Sequence, residues 1–309
     1  MTTNAAELPA ADEAPFFPAP RSCPFSEPPQ YAEFREAGGL HKVTIWNGTR
    51  HWLATRHADI RAVLSSPSFS ADVRNPDFPL VHSNQPERMQ SEAFDYYKAL
   101  VERKRREPAD DMISRLLSDH EGPDGFAPEM IPALVGLLVG AGHETTANML
   151  GLGTVALLLN PDQRDCLREH PELAPSTAEE MLRYWSIVST DPRRVATEDV
   201  EIGGQLVRKG EGVIVSLIAG NRDGRAFGAG EGECPADQLD IGRSARHHVA
   251  FGFGSHQCLG QNLARIEMQV AWPRLFERIP DLRLAVPEDE LPFKKNSIVY
   301  GLTSLPVEW

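Results

Sequence analysis

The stretch Phe251-Gly252-Phe253-Gly254-Ser255-His256-Gln257-Cys258-Leu259-Gly260 constrains this chain more than any other part of it. It sets one cysteine in a glycine-flexed loop, just ahead of a run to about Arg278 that reads as an amphipathic helix. Gly254 and Gly260 let backbone pass close to a flat ligand, where a side chain would collide. A cysteine at a helix start meets unpaired N–H groups and the positive end of the macrodipole, which favour thiolate over thiol. A thiolate held in that way can be the axial ligand of a haem iron, pushing electron density toward bound oxygen. A buried structural cysteine in a glycine-rich turn would use the same residue types.

The rest of the chain must build a core around that loop. Hydrophobic residues at 41% and charged residues at 24% of 309 positions suit a globular protein of one large domain or two ordinary ones. A formal charge of −13 repels phosphate and argues against a nucleic-acid partner. The four cysteines, Cys23, Cys166, Cys234 and Cys258, form no C-x-x-C pair, which speaks against a disulfide framework and for a reducing cytoplasm. Residues 1–20 are acidic and Pro/Ala-rich, without the basic start and apolar core of a signal peptide, and are expected to be a disordered tail. The longest apolar stretch, Ile131 to Gly142, is too short to span a bilayer, so no membrane association is expected.

Periodicity predicts helices over residues 29–38, 58–64, 91–107, 110–119, 128–159, 162–170 and 176–185, and a last one from Cys258 to about Arg278. Strands Lys42–Trp46 and His51–Thr55 flank Asn47-Gly48, a two-residue hairpin signal. Residues 198–215 alternate like a small sheet around Gly203-Gly204 and Lys209-Gly210. Residues 75–87, with three prolines, read as loop, and the basic run 103–106 as a solvated helix face. The fold class is mainly α with small β-sheets, and nothing alternates as a parallel α/β sheet would.

A second cluster of chemistry sits in the long helix, at Gly140-Ala141-Gly142-His143-Glu144-Thr145-Thr146. Two glycines inside a helix cost roughly 1 kcal/mol each, which close approach of a ligand to the helix face would offset. An acid followed by a hydroxyl could open the backbone ladder locally and make a groove, with Thr145 and Glu144 relaying protons. A small-residue helix contact would account for the glycines equally well. A zinc-protease reading of His143-Glu144 fails because position 147 is Ala147. Glu180 and Arg183, three apart on one helix face, make an ion pair of a common kind. His247, His248, His256 and Cys258 do not split into the two spaced pairs of a structural zinc site.

Taken together, these motifs resemble those of the cytochrome P450 family, in particular its soluble bacterial members from actinomycetes. The Cys258 loop is similar to that family's haem-ligand loop at each fixed position, and Ala141, Gly142, Glu144 and Thr145 match its oxygen-activation motif (A/G)-G-x-(D/E)-T. The resemblance implies a haem b bound by Cys258, with Phe251, Gly252, Gly254 and Gly260 shaping the loop and Ala141 and Gly142 facing the cofactor. It makes His256 and Arg194 partners of the haem propionates, Thr145 and Glu144 the proton relay, and E-x-x-R at Glu180 and Arg183 a buried pair. It implies a cytoplasmic monomer inserting one atom of O2 into a small hydrophobic substrate. Electrons would come from NAD(P)H through a ferredoxin reductase and a ferredoxin.

The likeness runs over residues 21–72 and 100–309, as one P450-like domain from 21 to 309 that is internally truncated. Family members place roughly a hundred more residues ahead of the oxygen-activation helix; the segment normally lying between about 73 and 99 is expected to be absent. No W-x-x-x-R or H-x-x-x-R occurs between Arg74 and Tyr97, and Gly228–Cys234 lengthens a normally compact meander. Three functions are therefore compatible with the sequence: a haem-thiolate monooxygenase, a haem-binding remnant of that family with impaired catalysis, and a cofactor-free helical binding protein.

Overall fold

Asn47-Gly48 turns the chain back on itself as its composition predicts. Gly48 adopts φ +81°, and the Asn47 side chain accepts the Thr49 N–H at 3.0 Å. The turn joins β1 (His41–Thr44) to β2 (Arg50–Ala54), antiparallel, with His41 opposite Leu53. A computed structural model of the chain describes residues 14–81, 92–120, 127–188, 192–228, 234–294 and 297–309. They divide into a larger unit, Met1–Val81 with Ala147–Trp309, and a smaller one, His82–Thr146.

In the larger unit, α1 (Pro29–Ala37) precedes the hairpin, and α2 (His57–Ser65) and β3 (Phe69–Ser70) follow it. The smaller unit holds α3 (Glu92–Arg106), α4 (Met112–His120) and the first part of α5 (Ile131–Leu159), after a short 3-10 turn at Pro128–Met130. The larger unit resumes with the rest of α5, then α6 (Pro161–Glu169) and α7 (Ala174–Trp185). Four strands come next: β4 (Arg193–Ala196), β5 (Val200–Ile202), β6 (Gln205–Val207) and β7 (Gly212–Val215). The chain closes with α8 (Leu217–Asn221), α9 (Gln261–Arg278), β8 (Arg283–Leu284) and β9 (Val307–Glu308). Helix dominates, as the periodicity predicts. Among the described residues no helix is long and apolar enough to cross a membrane.

Residues 198–215 do not form one small sheet. β5 and β6 make a separate hairpin, while β7 inserts into a five-stranded sheet ordered β1-β2-β7-β4-β3. β7 runs parallel to β2 and antiparallel to β4, a strand that the sequence pattern missed. All of β4 and β7 is buried, including Arg193 and Arg194, so the polar/apolar alternation that marks a half-exposed strand is absent there.

The expected tail is not wholly a tail. Thr44 N donates to Pro15 O, Phe17 N donates to Thr44 O, both at 2.8 Å, and Phe17 is buried, so residues 14–20 belong to the fold. Aromatic anchors outweigh a disorder-prone composition here; residues 1–13 lie outside those described. Asn75–Val81 carries no regular element, as expected, and 82–87 fall outside the described residues. Part of the basic run on α3 is paired locally, Lys104 with Asp111 at 2.5 Å and Arg105 with Glu102 at 3.4 Å.

Two cores matter for the site. One joins the C-terminal part of α5 to α6, α7 and α9 through Met149, Leu152, Met181, Trp185, Met268, Trp272 and Phe276. The other lies between the sheet and α2, with Ile60, Val63, Leu64, Ala196, Val213 and Val249, and the loop residue Phe253 packs against it.

Candidate active site

The cysteine loop is a chain of short backbone turns. Gly252 N donates to Val249 O at 2.8 Å, Gln257 N to Gly254 O at 3.0 Å, and Cys258 N to Phe251 O at 2.9 Å. Cys258 is exposed and its thiol is free. It stands three residues before the first residue of α9 rather than inside it, with Gln261 N pointing back at Cys258 O at 3.4 Å. The three glycines have separate causes. Gly252 is needed for its φ of +72°, and at Gly260 a Cβ would meet only the Cys258 sulfur, at 3.9 Å. Gly254, at φ +78°, would put a Cβ 2.6 Å from Leu64 O, so close packing against α2 explains it without any ligand. This corrects the sequence reading of that residue.

His256 is exposed in the 3-10 turn Gly254–His256. Arg194 is 5% exposed on β4 and donates to Arg193 O at 2.8 Å. Burial pushes its guanidinium pKa down, and among the described residues no carboxylate pairs with it. A buried guanidinium without a counter-ion is costly, and a ligand carboxylate would relieve it. A free thiol and a buried cation with no carboxylate partner among the described residues are the donor types that an iron-bearing cofactor with carboxylate arms would use.

Behind the loop, Glu180 and Arg183 are both fully buried, and the fork of Arg183 meets the carboxylate at 2.7 Å on each side. Arg183 also donates to Asn221 O, Ala236 O and Gln238 O, and Arg243 adds a second cation 3.2 Å from Glu180. Arg243 in turn holds the carbonyls of Phe227 and Cys234, on either side of residues 229–233, which lie outside those described. An i,i+3 spacing alone says surface ion pair; the burial and the convergent carbonyls make this one a core fixture, as the resemblance implies. His247 and His248 turn to Ala226 O and Glu179 respectively, and no metal-holding group of three or more such side chains occurs among the described residues.

Ala141, Gly142, Glu144 and Thr145 belong to the smaller unit. Helix α5 runs through them without a break, and Thr145 Oγ1 donates to Ala141 O at 2.5 Å. The expected opening of the ladder is therefore not seen; the hydroxyl bonds back along the helix instead. Leu137, Val139 and residues 140–144 are exposed, and a Cβ added at Gly140 or Gly142 would meet nothing within 4 Å.

Helix α9 is two-faced in an unusual sense. Met268, Trp272 and Phe276 are 1% exposed, whereas Leu263, Ile266 and Val270 are 62%, 58% and 57% exposed and Leu259 90%. The exposed side therefore carries apolar side chains in its first half, among the exposed charged residues Glu267, Arg274 and Glu277.

A family model described as Cytochrome P450 matches residues 53–306. Cytochrome P450-SU2 of Streptomyces griseolus is 35% identical over 415 aligned residues, covering 100% of this chain and 100% of the relative. Pentalenic acid synthase of Streptomyces avermitilis is 34% identical, covering 95% and 97%. The crystal structure of cytochrome P450 MoxA from Nonomuraea recticatena superposes with a TM-score of 0.86 at 32% identity, covering 95% of this chain and 98% of that one. An alignment of 415 residues against a chain of 309 leaves about a hundred residues of the relatives without a counterpart.

Proposed function

This chain belongs to the cytochrome P450 family, and from that premise we propose that Cys258 is the axial ligand of a haem b and that the protein inserts one atom of O2 into a small apolar substrate. The observation that carries the reading is the loop: a free, exposed thiol whose backbone N–H is tied to Phe251 O. When bound, the haem supplies the oxygen activation that side chains cannot perform. The chain's own residues bind, orient and move protons. Cys258 would hold the iron as thiolate, and Phe251, Gly252 and Gly260 would set its direction. Arg194, which pairs with no carboxylate among the described residues, would take one propionate, and His256 the other. Ala141 and Gly142 would leave a helix face free of bulk for the cofactor. The Thr145 hydroxyl, now donated to Ala141 O, and the Glu144 carboxylate would pass protons inward. The roles of these α5 residues rest on the motif. Electrons would come from NAD(P)H by way of a ferredoxin reductase and a ferredoxin, in the cytoplasm.

A second reading, a remnant that captures haem but turns over little, is favoured by the roughly hundred residues of the relatives that have no counterpart in this chain. Burial of apolar surface yields roughly 25 cal/mol per Å², and a cofactor that loses part of its cover loses that share of its affinity. The deciding experiment reconstitutes the chain with haem, measures what survives gel filtration, and then counts product formed per NADPH with a ferredoxin system. Sub-stoichiometric haem and poor coupling, both improved by grafting a relative's segment between Asp72 and Leu100, support the remnant. Stoichiometric haem with tight coupling in the 309-residue chain refutes it. A colourless protein refutes both readings and favours a cofactor-free binding protein.

A further inference from the structure

The residue beside the E-x-x-R glutamate points to a different partner set. Glu179, 8% exposed on α7, meets Arg265 of α9, with Nε 2.6 Å from Oε1 and Nη2 3.3 Å from Oε2. Its Oε2 also lies 3.0 Å from Nε2 of His248, off the line of a straight hydrogen bond. His248 Nδ1 accepts the Ala250 N–H at 3.1 Å, so in the neutral ring the proton sits on Nε2, facing the carboxylate. The Arg265 guanidinium stands 4.7 Å from the centre of the Phe251 ring, and the His248 ring is 5.8 Å from it on a tilt. Gln261 Oε1 accepts from Arg265 Nη1 at 2.9 Å and ties the fork to the first turn of α9.

Phe251 is thus gripped through its ring, and its carbonyl accepts the Cys258 N–H at 2.9 Å. One carboxylate, two cations or donors and one aromatic ring join α7, α9 and both ends of the cysteine loop. We propose that Glu179, His248 and Arg265 are positioning residues that act through Phe251 to hold the Cys258 backbone in place for the iron. A buried carboxylate that balances a guanidinium keeps the fork over the ring. Without its charge, Arg265 is drawn toward solvent, the Phe251 ring loses its cover, and the hydrogen bond to Cys258 opens more often. The inference rests on the reading of Cys258 as iron ligand only in its spectral part.

The test compares Glu179→Gln, Arg265→Met and Arg265→Lys with the wild-type chain by peptide-resolved amide hydrogen exchange. We expect the Cys258 and Gly252 amides to exchange about tenfold faster in Glu179→Gln and Arg265→Met, with the β1–β2 hairpin unchanged. Arg265→Lys should recover part of the protection, because it keeps the charge while losing the fork. In haem-loaded protein the same two variants should lower the share of the red-shifted reduced-CO band without lowering total haem. Unchanged exchange at Cys258 in both Glu179→Gln and Arg265→Met overturns the proposal. So does equal acceleration at Cys258 and in the β1–β2 hairpin, which would mean general destabilisation. If Glu179→Gln does not fold, the contrast between Arg265→Met and Arg265→Lys decides. A colourless wild type would remove the haem reading, while the exchange result would still decide the clamp.

Discussion

Two glycines in α5, two residues apart, should answer the same substitution with opposite sign. Glycine inside a helix costs about 0.8–1.0 kcal/mol relative to alanine. At Gly151 an added methyl would meet nothing within 4 Å, so Gly151→Ala should stabilise the larger unit by about 1 kcal/mol. At Gly153 the same methyl would overlap Trp272 Cζ2 and lie 2.7 Å from Cε2. Trp272 is 1% exposed and its Nε1 donates to Leu150 O at 3.3 Å, so the ring has little room to retreat. Overpacking of this kind costs about 1–3 kcal/mol, and with the helix gain subtracted Gly153→Ala should lose about 2 kcal/mol at the upper end. Urea unfolding followed by tryptophan fluorescence reads both variants, because Trp46, Trp52, Trp185, Trp272 and Trp309 all belong to the larger unit. The site is linked to the outcome: Trp272 is on α9, the helix that leads out of the cysteine loop. Equal shifts of the two variants in one direction would refute the close helix contact at Gly153.

On α9, Ile266→Asn should change the unfolding free energy by under about 0.5 kcal/mol and reduce aggregation on light scattering. Met268→Ala on the opposite face should cost about 2–5 kcal/mol, and a large loss in Ile266→Asn would show that the exposed side is covered in solution. Burial raises the Glu179 carboxyl, but the Arg265 guanidinium and the close approach of His248 outweigh it and hold it at about 2. A depressed folded pKa adds stability that is present above the ordinary carboxylate range and lost as pH falls toward 2. Urea unfolding at pH 5 and pH 3 should therefore show wild type losing more than Glu179→Gln, by up to about 2–3 kcal/mol over the whole window; equal losses would contradict the pairing. Thr145→Ala should leave haem binding intact and divert electrons into peroxide in any chain that turns over, read as product per NADPH, and equal coupling in mutant and wild type would count against the relay.

What could be read in advance followed local pattern. The Asn47-Gly48 turn and the end of the long helix at Leu159 are each set by neighbours in sequence, and each occurs where the pattern puts it. β4 escaped because it is buried on every side and carries two arginines, so it has neither the alternation nor the apolar run of a strand. Gly254 was legible as a required glycine but not for its reason, since Leu64 is 190 positions away in the chain. The Glu179–His248–Arg265 set is likewise invisible to spacing: its members lie 69 and 86 residues from Glu179, and only folding brings them to one carboxylate. Its one sequence signal is the paired acid Glu179-Glu180, of which the E-x-x-R motif uses only the second.

The account stands on Cys258 as a thiolate ligand of haem iron. The most direct test is the absorption spectrum of the reduced, CO-treated protein, recorded for wild type and for Cys258→Ser after the same haem reconstitution. Thiolate ligation gives a strongly red-shifted Soret band in wild type that is absent from Cys258→Ser. A wild-type protein without that band, or a band that survives the substitution, contradicts the assignment.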